Sequence, residues 1–284
     1  MAVKRATCML AGALLAAGGL MFLAPGRAHA ADLDVLRGSF SNPFVTSSYR
    51  RWDGVNLGVQ FGITNMSTDF GSSTSSEVAF ILRNSTLESE AAPSNWTTLP
   101  NDETNGRNYG LFLGYSVQWD QLVVGFDAAY NRASSVDGSA SDSINRSVTT
   151  SDGVNHNVTI TAKSSMNLID YATLRARAGY AIGQFLPYAF AGGAVGRFNY
   201  ANTATVTSIE TPPAPAAPFT YGPITQSDSK DNAILGGFTA GLGLDVALLP
   251  NVFLRGEWEF VGFAQVDGIR STINSGRIGL GMRF

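Results

Sequence analysis

"SGRIGLGMRF", Ser275 to Phe284, alternates without a break: Ile278, Leu280, Met282 and Phe284 fall on one parity, and Ser275, Arg277, Gly279, Gly281 and Arg283 on the other. Successive side chains of an extended strand point to opposite faces, so this stretch has one apolar face and one that carries two arginines. Working outward, the same period recurs. "GVNLGVQFGIT" (54–64), "NYGLFLGYSVQW" (108–119) and "LVVGFDAAY" (122–130) alternate in this way. So do "YATLRARAGYAI" (171–182), "PYAFAGGAVGRFNY" (187–200), "ILGGFTAGLGLDVALL" (234–249) and "VFLRGEWEF" (252–260). With the closing segment this makes eight strands, the fifth the weakest because its residues are mostly small.

The connections alternate in length. Short turns fall around Asp120, at "GQF" (183–185) and at Pro250–Asn251, whereas long polar stretches run over 69–107, 131–170 and 201–232, with a shorter one at 265–272. An even number of antiparallel strands with short turns at one end and long loops at the other predicts an eight-stranded transmembrane β-barrel, short turns periplasmic and loops extracellular. Placement of charge supports the same reading. Val55, Leu111, Phe126, Leu174, Phe190, Leu244, Leu254 and Ile278 are assigned to an uncharged face turned to lipid. Asp127, Arg175, Arg177, Arg197, Asp245, Arg255, Glu257, Glu259, Arg277 and Arg283 are assigned to the opposite face, the lumen. A soluble barrel would be the reverse, and a basic residue on the lipid face at mid-bilayer costs about 2–4 kcal/mol. Trp119, Tyr180, Tyr188 and Phe284 near the short-turn ends, and Tyr109, Tyr130 and Tyr200 near the loop ends, are read as interfacial girdles.

The first thirty residues read as a leader rather than as fold. Lys4 and Arg5 precede an apolar run, Met9 to Pro25, and "AHA" (28–30) supplies the small residues for cleavage before Ala31. Cleavage removes three of the 19 basic residues and leaves 16 against 22 carboxylates, a net charge of −6. It also removes Cys8, the only cysteine, which excludes disulfides and thiolate metal sites in the mature chain. The organisation expected is therefore a signal peptide (1–30), a periplasmic segment (31–51) and a barrel (52–284).

These features resemble the porin-like outer-membrane β-barrel family of α-proteobacteria, kin to the OmpA transmembrane domain and the neisserial opacity proteins. The likeness rests on the leader, "ADLDVLRGSF" (31–40), "WDGVNLGVQFG" (52–62) with its Trp-x-Gly-x-x-x-Gly opening, and "RIGLGMRF" (277–284). The resemblance implies the architecture, the outer membrane as location, lipid and lipopolysaccharide as surroundings, and Phe284 as the signal read by the barrel-insertion machinery. It implies no particular molecular activity.

The lumen of an eight-stranded barrel is about filled by side chains. Buried charges there have to pair, because an isolated one costs several kcal/mol. Ladders are expected, with Glu257 and Glu259 bridging Arg175 and Arg177 or, across the last strand pair, Arg277. Their role is either to fill the lumen and fix register or to gate small ions. Catalysis has no candidate: outside the leader the only histidine is His156, in "DGVNHNVT" (152–159), with no catalytic spacing to Ser151 or Asp152, and one histidine cannot build a multi-histidine metal site. No cofactor is expected. "GFTAGLG" (237–243) lacks the helix of a phosphate site, and no basic, aromatic-interleaved surface for nucleic acid occurs. "GSSTSS" (71–76) and "ETPPAPAAPF" (210–219) are low-complexity, so the loops are expected to form a hydrophilic cap or to contact host or phage surfaces. Three functions remain open: a structural or surface role, a small-solute or ion channel, and a loop-borne adhesin or haem binder.

Overall fold

The computed structural model describes residues 51–134 and 136–284; the leader and the segment 31–50 lie outside the described residues. Nine strands form one antiparallel sheet: β1 (Gly54–Asp69), β2 (Asp102–Trp119), β3 (Leu122–Ser134), β4 (Asp137–Thr149), β5 (Asn155–Tyr180), β6 (Phe185–Thr211), β7 (Phe219–Ala247), β8 (Val252–Phe263) and β9 (Arg270–Arg283). The ring closes through β1 and β9, with Leu57 opposite Met282 and Phe61 opposite Ile278, and through β3 and β5, with Asp127 opposite Arg175. Eight strands make the ring. The ninth, β4, continues the direction of β3 after a break and pairs with the upper part of β5, Asp137 opposite Asn167 and Thr149 opposite Asn155. No described helix is long and apolar enough to cross a membrane, so crossing falls to the strands.

Period-two alternation places the two faces as a membrane barrel needs them. Phe126, Leu174 and Ile278 stand 64–66% exposed on the outer wall, while Asp127, Arg175 and Glu259 are buried within. The short turns are two to four residues long, helped by positive φ at Asp120 (50°) and Gly183 (60°), which matches the twist of the flanking strands.

Two of the three long polar stretches, 131–170 and 201–232, are mostly sheet, not loop. A bilayer needs about 9–11 residues per strand, yet β5, β6 and β7 have 26, 27 and 29. Their upper halves, with β4, rise beyond the apolar band as a four-stranded β-blade. Only the turns remain irregular: 150–154 between β4 and β5, and 212–218 between β6 and β7. The first long connection carries α1 (Ser75–Ile81) and α2 (Thr86–Ala91). Ser85 caps α2 by accepting from the Glu88 amide at 3.1 Å, the arrangement that satisfies a free helix donor. Val78, Ile81, Leu82 and Leu87 from this connection pack on Val158, Ile160, Ala204 and Val206 of the blade's inner face.

Candidate functional site

The lumen is layered. At the short-turn end Trp52, Phe112, Tyr188, Phe190 and Phe253 form a buried aromatic cluster with Val123, Leu186 and neighbouring alanines. At the loop end Met66, Phe70, Leu99, Leu168, Phe198, Val261, Phe263, Ile269 and Ile273 belong to a second, larger apolar cluster. Between them lies the charged layer. Four arginines, Arg175, Arg177, Arg255 and Arg277, face four carboxylates, Asp127, Asp245, Glu257 and Glu259.

Strand register explains why these side chains meet. On β8, Arg255, Glu257 and Glu259 share the inner parity, and the ladders set Arg255 opposite Asp245 on β7 and Glu257 opposite Arg277 on β9. On β5, Arg175 and Arg177 share that parity, with Asp127 of β3 beside Arg175. Glu257 accepts from Arg175 Nη1 at 3.0 Å, from Arg277 Nη2 at 2.9 Å and from the Tyr188 hydroxyl at 2.7 Å. Glu259 accepts from Arg277 Nη1 at 2.5 Å, Arg175 Nη1 at 3.3 Å and Thr239 Oγ1 at 3.0 Å. Asp245 takes Arg255 through Nε at 2.9 Å and Nη2 at 3.0 Å, and Arg177 Nη1 at 3.2 Å. Arg177 Nη2 also donates to Ser116 Oγ at 2.6 Å.

Aromatic rings stack over the cations: Arg175 lies 4.3 Å from the Phe190 centroid and Arg255 4.2 Å from that of Phe112. Such contacts stabilise a desolvated guanidinium by about 2 kcal/mol or more. Four cations facing four carboxylates balance the charge and fill the lumen as a plug, although Asp127 Oδ1 and the Nε atoms of Arg175, Arg177 and Arg277 are buried without a hydrogen-bond partner. The layer's hydroxyls are engaged by the charges, Tyr188 on Glu257 and Thr239 on Glu259, and among the described residues no group of metal ligands occurs.

Two of the arginines assigned to the lumen stand elsewhere. Arg197 projects outward from β6, its side chain 43% exposed, and binds Asp170, which also accepts from the Tyr130 hydroxyl at 3.0 Å. Phe190, Tyr188 and Tyr200, assigned to the lipid face, are buried inside. One inverted parity on β6 accounts for all four. Its outer side is Ala189, Ala191 and Gly193, which lipid tolerates, whereas the lumen has to be filled with volume. Phe190 and Tyr188 therefore turn inward over Gly241 and Gly243 of β7, where a Cβ would overlap their rings. Arg283 lies at the short-turn end, donating to the Pro250 carbonyl at 3.1 Å and 5.0 Å from the Trp52 ring, apart from the charged layer. Phe284 is exposed, and its backbone pairs with Val55. The sequence reading missed Tyr171, Ser116 and Thr239, all inner-parity residues able to hydrogen-bond on charge-bearing strands or their ladder neighbours, a signal that was available; Tyr188 it placed on the lipid face.

His156 is buried at the blade tip. Its Nε2 lies 3.1 Å from Thr150 Oγ1 and its Nδ1 3.5 Å from Glu210 Oε1. The spacing is that of a hydroxyl–imidazole–carboxylate relay, but Thr150 is itself buried and its hydroxyl donates to Asp152 at 2.5 Å. Asp152 accepts from the Val154 amide as well, at 3.1 Å, and these contacts hold its carboxyl below the usual range. The group locks the β4–β5 turn.

A closed antiparallel ring, apolar outside and charged within, defines an outer-membrane β-barrel. The chain belongs to the outer membrane protein beta-barrel domain family, whose model matches residues 38–284. Among solved structures it is similar to Ail, the attachment invasion locus protein of Yersinia pestis, at 13% identity over 82% of this chain and 99% of that one, TM-score 0.33. It is also similar to OprG from Pseudomonas aeruginosa (12% identity, 82% and 97% covered, TM-score 0.32) and to Neisserial surface protein A (10%, 80% and 97%, TM-score 0.31). No curated protein matches the chain.

Proposed function

We propose that this barrel is a non-catalytic anchor whose task is to hold the β-blade above the outer membrane, and that it is not a solute channel. The carrying observation is the charge-balanced layer packed between two apolar clusters, which supports a lumen closed to solutes. The blade is the other half of the reading: α1 and α2 brace its inner face, so the polar stretches that look like loops are a stiff surface. The narrower kinship with α-proteobacterial porin-like barrels, export through a cleaved leader and insertion through Phe284 belong to the same proposal. The leader holds the only cysteine, Cys8, so Thr205→Cys makes a mature chain with one thiol. On intact cells a membrane-impermeant maleimide is expected to label it, with the blade resisting trypsin. Labelling only after permeabilisation overturns the proposal.

A further inference from the structure

His156 is the single histidine outside the leader, and it is buried at the tip of the blade. Val148 of β4 stands opposite it on one side and Glu210 of β6 on the other. Both ring nitrogens face oxygen, Nε2 toward Thr150 Oγ1 at 3.1 Å and Nδ1 toward Glu210 Oε1 at 3.5 Å.

The threonine decides which nitrogen carries hydrogen. A hydroxyl has one proton to give, and that of Thr150 goes to Asp152 Oδ1 at 2.5 Å. Asp152 is ionised, because this bond and the Val154 amide hold its carboxyl low. Thr150 Oγ1 is therefore an acceptor toward the ring, and Nε2 bears the hydrogen. In the neutral ring Nδ1 then presents a bare lone pair, buried without a hydrogen-bond partner, to a carboxylate oxygen. Only the imidazolium, a donor at both nitrogens, satisfies both oxygens at once.

The turn 150–154 that this ring holds is a junction. Glu90 of α2 accepts from the Ser151 amide at 2.8 Å and from its hydroxyl, and Thr86 Oγ1 lies 3.5 Å from Asp152 Oδ2. Gly153, at φ 79°, lies against Pro213 of the β6–β7 turn, where a Cβ would come within 3.1 Å of the proline ring. Glu210 and Asp152 are the charges turned to the ring. The other charges around the tip are engaged elsewhere: Glu90 on Ser151, Glu88 of α2 on Ser94, and Arg146 of β4 over the Trp96 ring. From β7 the residue opposite Glu210 is the uncharged Phe219.

We propose that His156 is a pH-operated clasp. Its imidazolium ties β5 to Glu210 of β6 and fastens the turn that holds α2, and loss of the proton releases that tip. A cation that gains partners on folding contributes stability below its titration and loses it above. The clasp is therefore closed in mild acid and opens toward alkaline pH. This deepens the surface reading and rests on it, giving the stiff blade a tip whose order follows the external medium.

The test uses the chain from residue 31 onward, refolded in detergent micelles, with folding verified by heat-modifiable migration. Labelling histidine with nitrogen-15 gives one imidazole, so its protonation is read directly. The neutral ring is expected as the Nε2–H tautomer, converting to the imidazolium as pH falls. Across that titration, from acid to alkaline, hydrogen-exchange protection factors over 150–156 are expected to drop at least fivefold. His156→Gln is expected to abolish the drop, whereas Glu77→Gln, which alters the carboxyl on α1, is expected to keep it. Glu210→Gln offers an amide donor to the bare Nδ1, so its protection at alkaline pH is expected to equal or exceed that of the wild type. A neutral ring protonated on Nδ1, constant wild-type protection across the titration, or an equal drop in His156→Gln overturns the proposal. Surface labelling of Thr205→Cys is read separately, so a failed clasp with labelling intact defeats this inference alone.

Discussion

Glu257→Gln removes one charge from the middle of the lumen and changes almost no volume. In the wild type Glu257 Oε2 lies 3.0 Å from Arg175 and 2.9 Å from Arg277, and Oε1 lies 2.7 Å from the Tyr188 hydroxyl and 3.7 Å from Arg255. Arg175 and Arg277 keep Glu259, so neither guanidinium is orphaned, but four buried cations then face three carboxylates. Breaking a buried pair from one side costs about 3–5 kcal/mol, because the remaining charge stays desolvated. Retention of a polar acceptor places Glu257→Gln near 3 kcal/mol and Glu257→Met near 5 kcal/mol, the two ends of that range. The sign of the double variant is more diagnostic. Glu257→Met/Arg277→Met restores neutrality, so it is expected to be more stable than Glu257→Met alone. The assay is urea unfolding from lipid vesicles followed by tryptophan fluorescence, Trp119 and Trp258 being on the outer wall. A wild-type midpoint for Glu257→Gln, or a double variant weaker than both singles, refutes the charge-balance argument.

Further outcomes are expected outside that layer. Burial raises the Glu77 carboxyl above its ordinary value, with Asp228 and Asp267 adding to the effect. A raised folded-state pKa contributes stability below the unfolded value that is lost as pH rises through the folded one. Helix α1 is therefore docked most firmly in mild acid, and protection factors over 75–82, which divide out the base-catalysed rise of intrinsic exchange, should fall toward neutral pH in the wild type but not in Glu77→Gln. Leu87→Ala empties a buried site between α2 and the blade, costing about 2–5 kcal/mol locally. Trypsin cleavage at exposed Arg83 is expected to accelerate while heat-modifiable migration of the barrel stays unchanged. Gly243→Ala places a methyl inside the Tyr188 ring, forcing the ring off Glu257. A loss of about 1–3 kcal/mol in the same urea assay is expected.

The barrel was legible because lipid and lumen impose opposite chemistry at period two. On β1, β2, β5, β8 and β9 every charge in the apolar band sits on one parity, and the ladders then bring the ion pairs together. β6 was misread for a physical reason. Its outer residues are alanine and glycine, so hydrophobicity alone pointed Phe190 and Tyr188 to lipid and left Arg197 as their inward counterpart. The cue lay in the partner strand, where Gly241 and Gly243 leave the space that inward rings fill. The blade escaped because threonine, serine and asparagine on one face, with short apolar residues such as Val158, Ile160, Ala204 and Val206 on the other, give weak amphipathic contrast. That contrast becomes visible only when α1 and α2 cover the inner face. Charge layers followed from local spacing; the plug and the brace needed long-range packing.

Single-channel recording of the refolded mature chain in a planar bilayer tests the sealed lumen most directly. The account predicts no discrete conductance steps across the voltage range at molar salt, because the charged layer and both apolar clusters stay closed. Stable steps that scale with salt, and whose ion selectivity changes in Glu257→Gln, would contradict it.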